Sequence, residues 1–203
     1  MKNKILEENI KDIKEKIRTP TKRRNTHKIY VFDLETGGLN PYTDGVCSIA
    51  IKELDSKETD CFIIKPQRKL YSQEAFNVNG FNLKYLVKNG FEIERVLNLL
   101  LKKMGDSCSI IGHNIEFDLK FLLQMAREER KVLPIIHSID TMSMAKRLLT
   151  KATKTKRGDV ENYKLTTIYN YFFNDFEEVK AHTADYDVMM TEKIYKKLLA
   201  LEK

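Results

Sequence analysis

Asp33, Glu35, Asp118 and Asp187 are carboxylates at positions where the hydrophobic pattern calls for core side chains. In "IYVFDLETGGLN", Ile29, Val31, Asp33 and Glu35 alternate along one side of a strand, and Tyr30, Phe32 and Leu34 take the other. A strand apolar on both sides belongs in the middle of a sheet, yet this one ends in two acids. In "GHNIEFDLKFLLQMA", Asn114 suits a helix N-cap and Glu116 suits the first turn. Asp118 instead shares the apolar face with Phe121, Leu122 and Met125. In "AHTADYDVMMTEKIYKKLL", Thr183 is the expected cap, and Asp187 lies on a face with Met190, Ile194, Leu198 and Leu201.

A single buried carboxylate is costly and is normally protonated or paired, so each acid alone reads as a salt-bridge partner or a boundary residue. Four on elements that can converge repel one another, and divalent cations answer that repulsion. Hard oxygen ligands suit Mg²⁺ or Mn²⁺. Two such ions, about 3.5–4 Å apart, clamp the attacking and leaving oxygens of a phosphoryl displacement. That chemistry needs a base for water. His182, five residues before Asp187 and ahead of the helix cap, is placed to reach back over the site from a loop. His113 reads as structural, His137 has no acidic cluster beside it, and His27 falls in a linker. Asp140 in "DTMS" reads as a helix cap.

The elements that must position these groups follow from pattern. Leu6, Ile10, Ile13 and Ile17 form a narrow stripe on an N-terminal helix that Pro20 stops, followed by the basic linker "TPTKRRNTHK". "HKIYVFDLE", "GVCSIAIKEL" and "TDCFIIKP" are three strands joined closely enough to form an antiparallel meander. "QRKLYSQEAFNVNGFN" reads as a loop, and Phe91, Val96, Leu97 and Leu100 have helical spacing. "CSIIGHN" is a short buried strand leading to a helix from Ile115 to about Arg130, and "IIHSIDT" a last strand leading to a helix from Met142 to Leu149. Helices from about Lys164 and from Ala184 to Leu201 complete an α/β domain with a mixed sheet.

The 203 residues, 42% hydrophobic, suffice for one domain over 28–203 and a basic extension over 1–27. No apolar run of membrane-spanning length exists, and the charged start is no secretory signal, so no membrane contact and a cytoplasmic location are expected. Cys47, Cys61 and Cys108 have no metal-binding spacing and read as reduced core residues. The net charge of +7 fits nucleic acid and also fits an ordinary lysine-rich surface. Clustering tilts the choice: eight Lys/Arg against two acids lie between Lys11 and Lys28, and four more lie in "KATKTKRG".

"FDLETGG", "GHNIEFD" and "HTADYD" resemble, in order, the three motifs of the DEDD superfamily of 3′–5′ exonucleases. The third fits H-x-A-x-x-D, the mark of the DEDDh branch, which includes the proofreading subunit of bacterial DNA polymerase III and oligoribonucleases. The resemblance runs from about Lys28 to Leu201. It implies a ribonuclease H-like fold, a five-stranded mixed sheet flanked by helices, here with an N-terminal helical extension. It implies that Asp33, Glu35 and Asp187 bind one Mg²⁺ or Mn²⁺, that Asp33 and Asp118 hold the second, and that His182 deprotonates the attacking water. It also implies that the backbone near Thr36, the Leu39 side chain and Asn114 meet the terminal nucleotide. The family's His-Gly-Ile segment, which lines the nucleotide pocket, corresponds to "NVNGF", so the resemblance implies that Asn79 in place of His and Phe81 in place of Ile meet the substrate.

Three readings therefore stand. One is a 3′–5′ exonuclease on single-stranded DNA ends that releases nucleoside 5′-monophosphates. The second is an RNA exonuclease with the same chemistry, since the 2′-hydroxyl contacts that would decide are not written in a motif. The third is a non-catalytic nucleic-acid-binding module docked on a replication or repair complex, or self-associated, through the N-terminal stripe.

Overall fold

The computed structural model describes residues 27–67, 69–152, 162–173, 175 and 183–202. The N-terminal helix, most of its basic linker, most of "KATKTKRG" and His182 lie outside the described residues. The strands are β1 (Lys28–Thr36), β2 (Val46–Glu53), β3 (Asp60–Ile63), β4 (Cys108–Gly112) and β5 (Ile135–Asp140). The helices are α1 (Gln73–Asn79), α2 (Leu83–Asn89), α3 (Ile93–Met104), α4 (Ile115–Glu128), α5 (Thr141–Ala152), α6 (Leu165–Phe172) and α7 (Ala184–Leu201).

The five strands form one sheet in the order β3-β2-β1-β4-β5. β1 is antiparallel to β2, and β2 to β3, which is the expected meander. β4 and β5 add on the other side in parallel, each reached through a helical crossover. β1 is therefore central, which explains why Tyr30, Val31 and Phe32 are all fully buried. On one face Tyr30, Phe32 and Leu34 pack with Val96, Leu97 and Leu100 of α3 and Phe121 and Leu122 of α4. On the other, Val31, Ala50 and Ile111 pack with Val188, Met190, Ile194 and Leu198 of α7.

One expectation fails. The segment read as a loop after β3 folds into α1 and continues into α2. Ser72 and Asn82 cap these helices with side-chain oxygens that accept from the N–H groups of Ala75 and Tyr85. Each helix is only 7 residues long, too short for a hydrophobic period to declare itself, and the caps carried the signal instead. His27 is also better held than a linker residue, with Nε2 2.9 Å from Ser109 Oγ of β4. Cys47, Cys61 and Cys108 are free, the first and last of them buried. Among the described residues no helix is long and apolar enough to cross a membrane.

Candidate active site

β1 carries Asp33 and Glu35 at its C-terminal end, and its alternation points both toward the α7 face. α7 packs across β1 and β2 with its N-terminus at that same end. Asp187, in the first turn of α7, therefore meets the two strand acids. One carboxylate oxygen from each of Asp33, Glu35 and Asp187 lies within 4.8 Å of the others, a spacing at which one cation touches all three.

Asp118 arrives from the opposite edge of β1. The pairing of β1 with β4 ends at Val31 and Ile111, while β1 runs on to Thr36. The backbone beyond that point has no strand on the β4 side. Asp118, 4% exposed in the first turn of α4, fills the gap: its Oδ1 accepts the N–H of Leu34 at 3.0 Å. The fourth acid is thus fastened to the peptide between the first two. It stands outside the set of three oxygens, yet close enough to raise the proton affinity of Asp33 and of Glu35.

The electrostatics are those of a crowded acidic pocket. Burial first, then Asp118, Asp187 and Glu35, hold the Asp33 carboxyl well above the ordinary carboxylate range. Residue 33 keeps some surface, but its carboxyl group is the crowded part. Burial, then Asp187 and Asp118, do the same to Glu35. Burial pushes Asp118 up to about 7, against the lowering effect of the Leu34 N–H. Four hard-oxygen acids in an apolar surround, three of them convergent, fit Mg²⁺ or Mn²⁺ and offer no nitrogen or sulfur among the described residues.

Of the nucleotide-side candidates, Thr36 ends β1 and Leu39 lies just beyond it. Leu39 is 83% exposed on the β1–β2 loop. Thr36 Oγ1 donates to the Gly38 carbonyl at 2.6 Å, tightening the same loop. Phe81 is half-buried, with its ring 6.1 Å from that of Tyr85. The Asn79 side chain is engaged with protein: Nδ2 donates to the Thr36 carbonyl at 3.0 Å, and Oδ1 accepts the Phe81 N–H at 3.1 Å. Asn114 occupies the N-cap position of α4 but is left-handed, φ 64°, and its exposed side chain makes no cap bond. Its backbone N–H donates instead to Asp140 Oδ1 at 2.8 Å. Asp140 caps α5 as expected, accepting from Met142 N–H and Ser143 Oγ. His113 is structural: Nε2 donates to the Tyr163 carbonyl at 2.8 Å, and burial lowers its proton affinity.

Sequence reasoning missed Tyr71, which braces the loop between Thr36 and Val46. Its ring lies so close to the backbone that a side chain at Gly37 would stand 2.5 Å from Tyr71 Cδ1. The only written signal is the glycine, which permits that approach.

Comparison with known proteins places this architecture. DNA polymerase III PolC-type from Mycoplasmopsis pulmonis is 30% identical over 168 residues, covering 81% of this chain and 11% of that protein. DNA polymerase III subunit epsilon from Rickettsia typhi is 29% identical over 175 residues, 81% of this chain and 71% of that protein. The chain thus spans about a tenth of one relative and most of the other. Escherichia coli exonuclease I, solved with single-stranded DNA, superposes with a TM-score of 0.70 at 18% identity, covering 88% of this chain and 41% of that one, which shows the shared fold. The family described as Exonuclease (RNase_T) matches residues 30–195, which hold all but the first two residues of the sheet and all four acids, and the chain belongs to that family.

Proposed function

We propose that the protein is a divalent-metal-dependent 3′–5′ exonuclease of the DEDDh type that removes nucleoside 5′-monophosphates from single-stranded DNA ends. The observation that carries this reading is the convergence of Asp33, Glu35 and Asp187 oxygens within 4.8 Å, with Asp118 tied to the same strand. The names of its relatives, both of DNA polymerase III, support DNA as substrate.

Asp33, Glu35 and Asp187 would hold one Mg²⁺ or Mn²⁺, and Asp33 with Asp118 the other. Ions held there supply positive charge to the attacking and leaving oxygens. His182 takes a proton from the water whose oxygen attacks the terminal phosphorus. The bond from phosphorus to the 3′-oxygen of the preceding nucleotide breaks, and that oxygen leaves as the new 3′-hydroxyl after gaining a proton from solvent. The loop from Thr36 to Leu39, with Phe81 and Asn114, receives the terminal nucleotide. The catalytic domain spans 28–203, and the stripe Leu6, Ile10, Ile13 and Ile17 on the extension offers an apolar contact for a replication or repair partner or a second copy.

Matched 5′-labelled DNA and RNA oligomers, incubated with Mg²⁺, Mn²⁺ or EDTA, test the reading. A ladder shortening from the 3′ end with metal and none with EDTA is expected, faster on DNA. A faster RNA ladder would reassign the substrate. No ladder with oligomer still retained would make the protein a binding module.

A further inference from the structure

α1 and α2 pack on the sheet through a small cluster of their own: Phe76 and Leu86 are buried with Cys47 of β2 and Ile63 of β3. α1 ends at Gly80, left-handed at φ 73°, whose N–H donates to the Phe76 carbonyl at 2.8 Å. That stop places Asn79, the last residue of α1, beside the end of β1. Its Nδ2 reaches 43 residues back along the chain to the Thr36 carbonyl, while its Oδ1 takes the Phe81 N–H. One amide therefore joins two pieces: the end of the acid-bearing strand and the turn after α1.

The junction it holds is where the sheet becomes irregular. The register of β1 with β2 slips between Glu35 and Thr36, and Thr36 pairs with Val46 across that bulge. Thr36 begins the loop that carries Leu39, and Phe81 lies two residues beyond Asn79 in the turn after α1.

We propose that Asn79 is a positioning residue, fixing the Thr36 peptide and the Phe81 backbone at a set separation so that the terminal nucleotide meets a preformed slot. It acts through these two backbone groups, with its amide turned inward. The inference rests on the exonuclease reading and specifies how that site receives its substrate.

Asn79→Asp and Asn79→Leu separate the two hydrogen bonds. The aspartate keeps an acceptor for the Phe81 N–H but has no donor for Thr36, and the leucine loses both. For the aspartate variant KM for a 5′-labelled oligonucleotide, and the inhibition constant of thymidine 5′-monophosphate, should rise about tenfold, the effect of one net hydrogen bond, and for the leucine variant by more than that. The kcat should stay within about threefold of the parent, and thermal stabilisation by Mn²⁺ should be unchanged. An Asp variant with parental KM and inhibition constant would overturn the clamp, leaving Asn79 a turn residue. A loss confined to kcat would overturn it equally. A parent that neither shortens the oligonucleotide nor binds the monophosphate would instead sink the exonuclease reading, and the clamp with it.

Discussion

The N–H of Leu34 donates to Asp118 Oδ1 at 3.0 Å, so the peptide between Asp33 and Glu35 is held by the helix that brings the fourth acid. A carboxylate here does two jobs, closing a strand edge and adding charge. The two separate by substitution. Asp118→Asn keeps an oxygen for Leu34 and removes the charge, so the metal-free fold should be as stable as the parent or more so. Asp118→Ala leaves a buried N–H unpaired and should cost about 1–3 kcal/mol. Both should lose at least about 10²-fold in kcat, in line with removal of one charge-stabilising group. Denaturant melts and single-turnover rates of the two variants check this.

The acidic pocket makes stability depend on pH in a direction opposite to that of salt-bridged acids. Asp118 titrates near 7 in the fold against about 3.9 unfolded, and Asp33 and Glu35 are raised as well. Between about pH 4 and 7 the folded chain therefore binds more protons than the unfolded one, and these groups make stability fall as pH rises through that window. Cation binding needs the ionised forms, so affinity for Mn²⁺ should rise over the same window. Melting in EDTA should give a lower Tm at pH 8 than at pH 5.5, and added Mn²⁺ should restore more at pH 8. A Tm in EDTA that rose steadily to pH 8 would contradict the assignment.

Thr191 lies on the buried face of α7, 1% exposed, with an Oγ1 that has no hydrogen-bond partner among the described residues. Thr191→Val keeps the shape and removes the orphaned hydroxyl, so stability should be unchanged or higher by about 1 kcal/mol. Urea unfolding measures it.

Glu192, 5% exposed on the next position, pairs with the largely buried Lys52 of β2 and with Lys196, and accepts the Asp55 N–H. Glu192→Ala strands the Lys52 charge and should cost about 3 kcal/mol. Below its lowered Tm the variant should keep parental kcat, since none of the four acids is touched.

The four acids were legible because each violates a period: a strand apolar on both sides cannot explain Asp33 and Glu35, nor a helical face Asp118 and Asp187. The sheet was legible for the same reason, through Tyr30, Val31 and Phe32 in the central strand. What pattern could not show was how Asp118 is oriented, because its partner, the Leu34 N–H, is backbone and is freed only where β4 stops short. Nor could it show α1 and α2, whose caps at Ser72 and Asn82 outweigh any periodicity in so few residues. Asn79 read as a contact to the nucleotide. Its bonds to Thr36 and Phe81 turn it toward the protein, a matter of tertiary approach that no spacing records.

Asp33 sits at the centre of the account, shared between both proposed cation positions. Hydrolysis of a 5′-labelled single-stranded oligonucleotide by the parent and by Asp33→Asn, each with Mg²⁺ and with EDTA, tests it most directly. The variant should melt no lower than the parent in EDTA, having lost a buried charge, and should show no 3′ shortening with Mg²⁺ while the parent gives a full ladder. A folded Asp33→Asn protein that shortened the strand at the parental rate would contradict metal-dependent hydrolysis at this site.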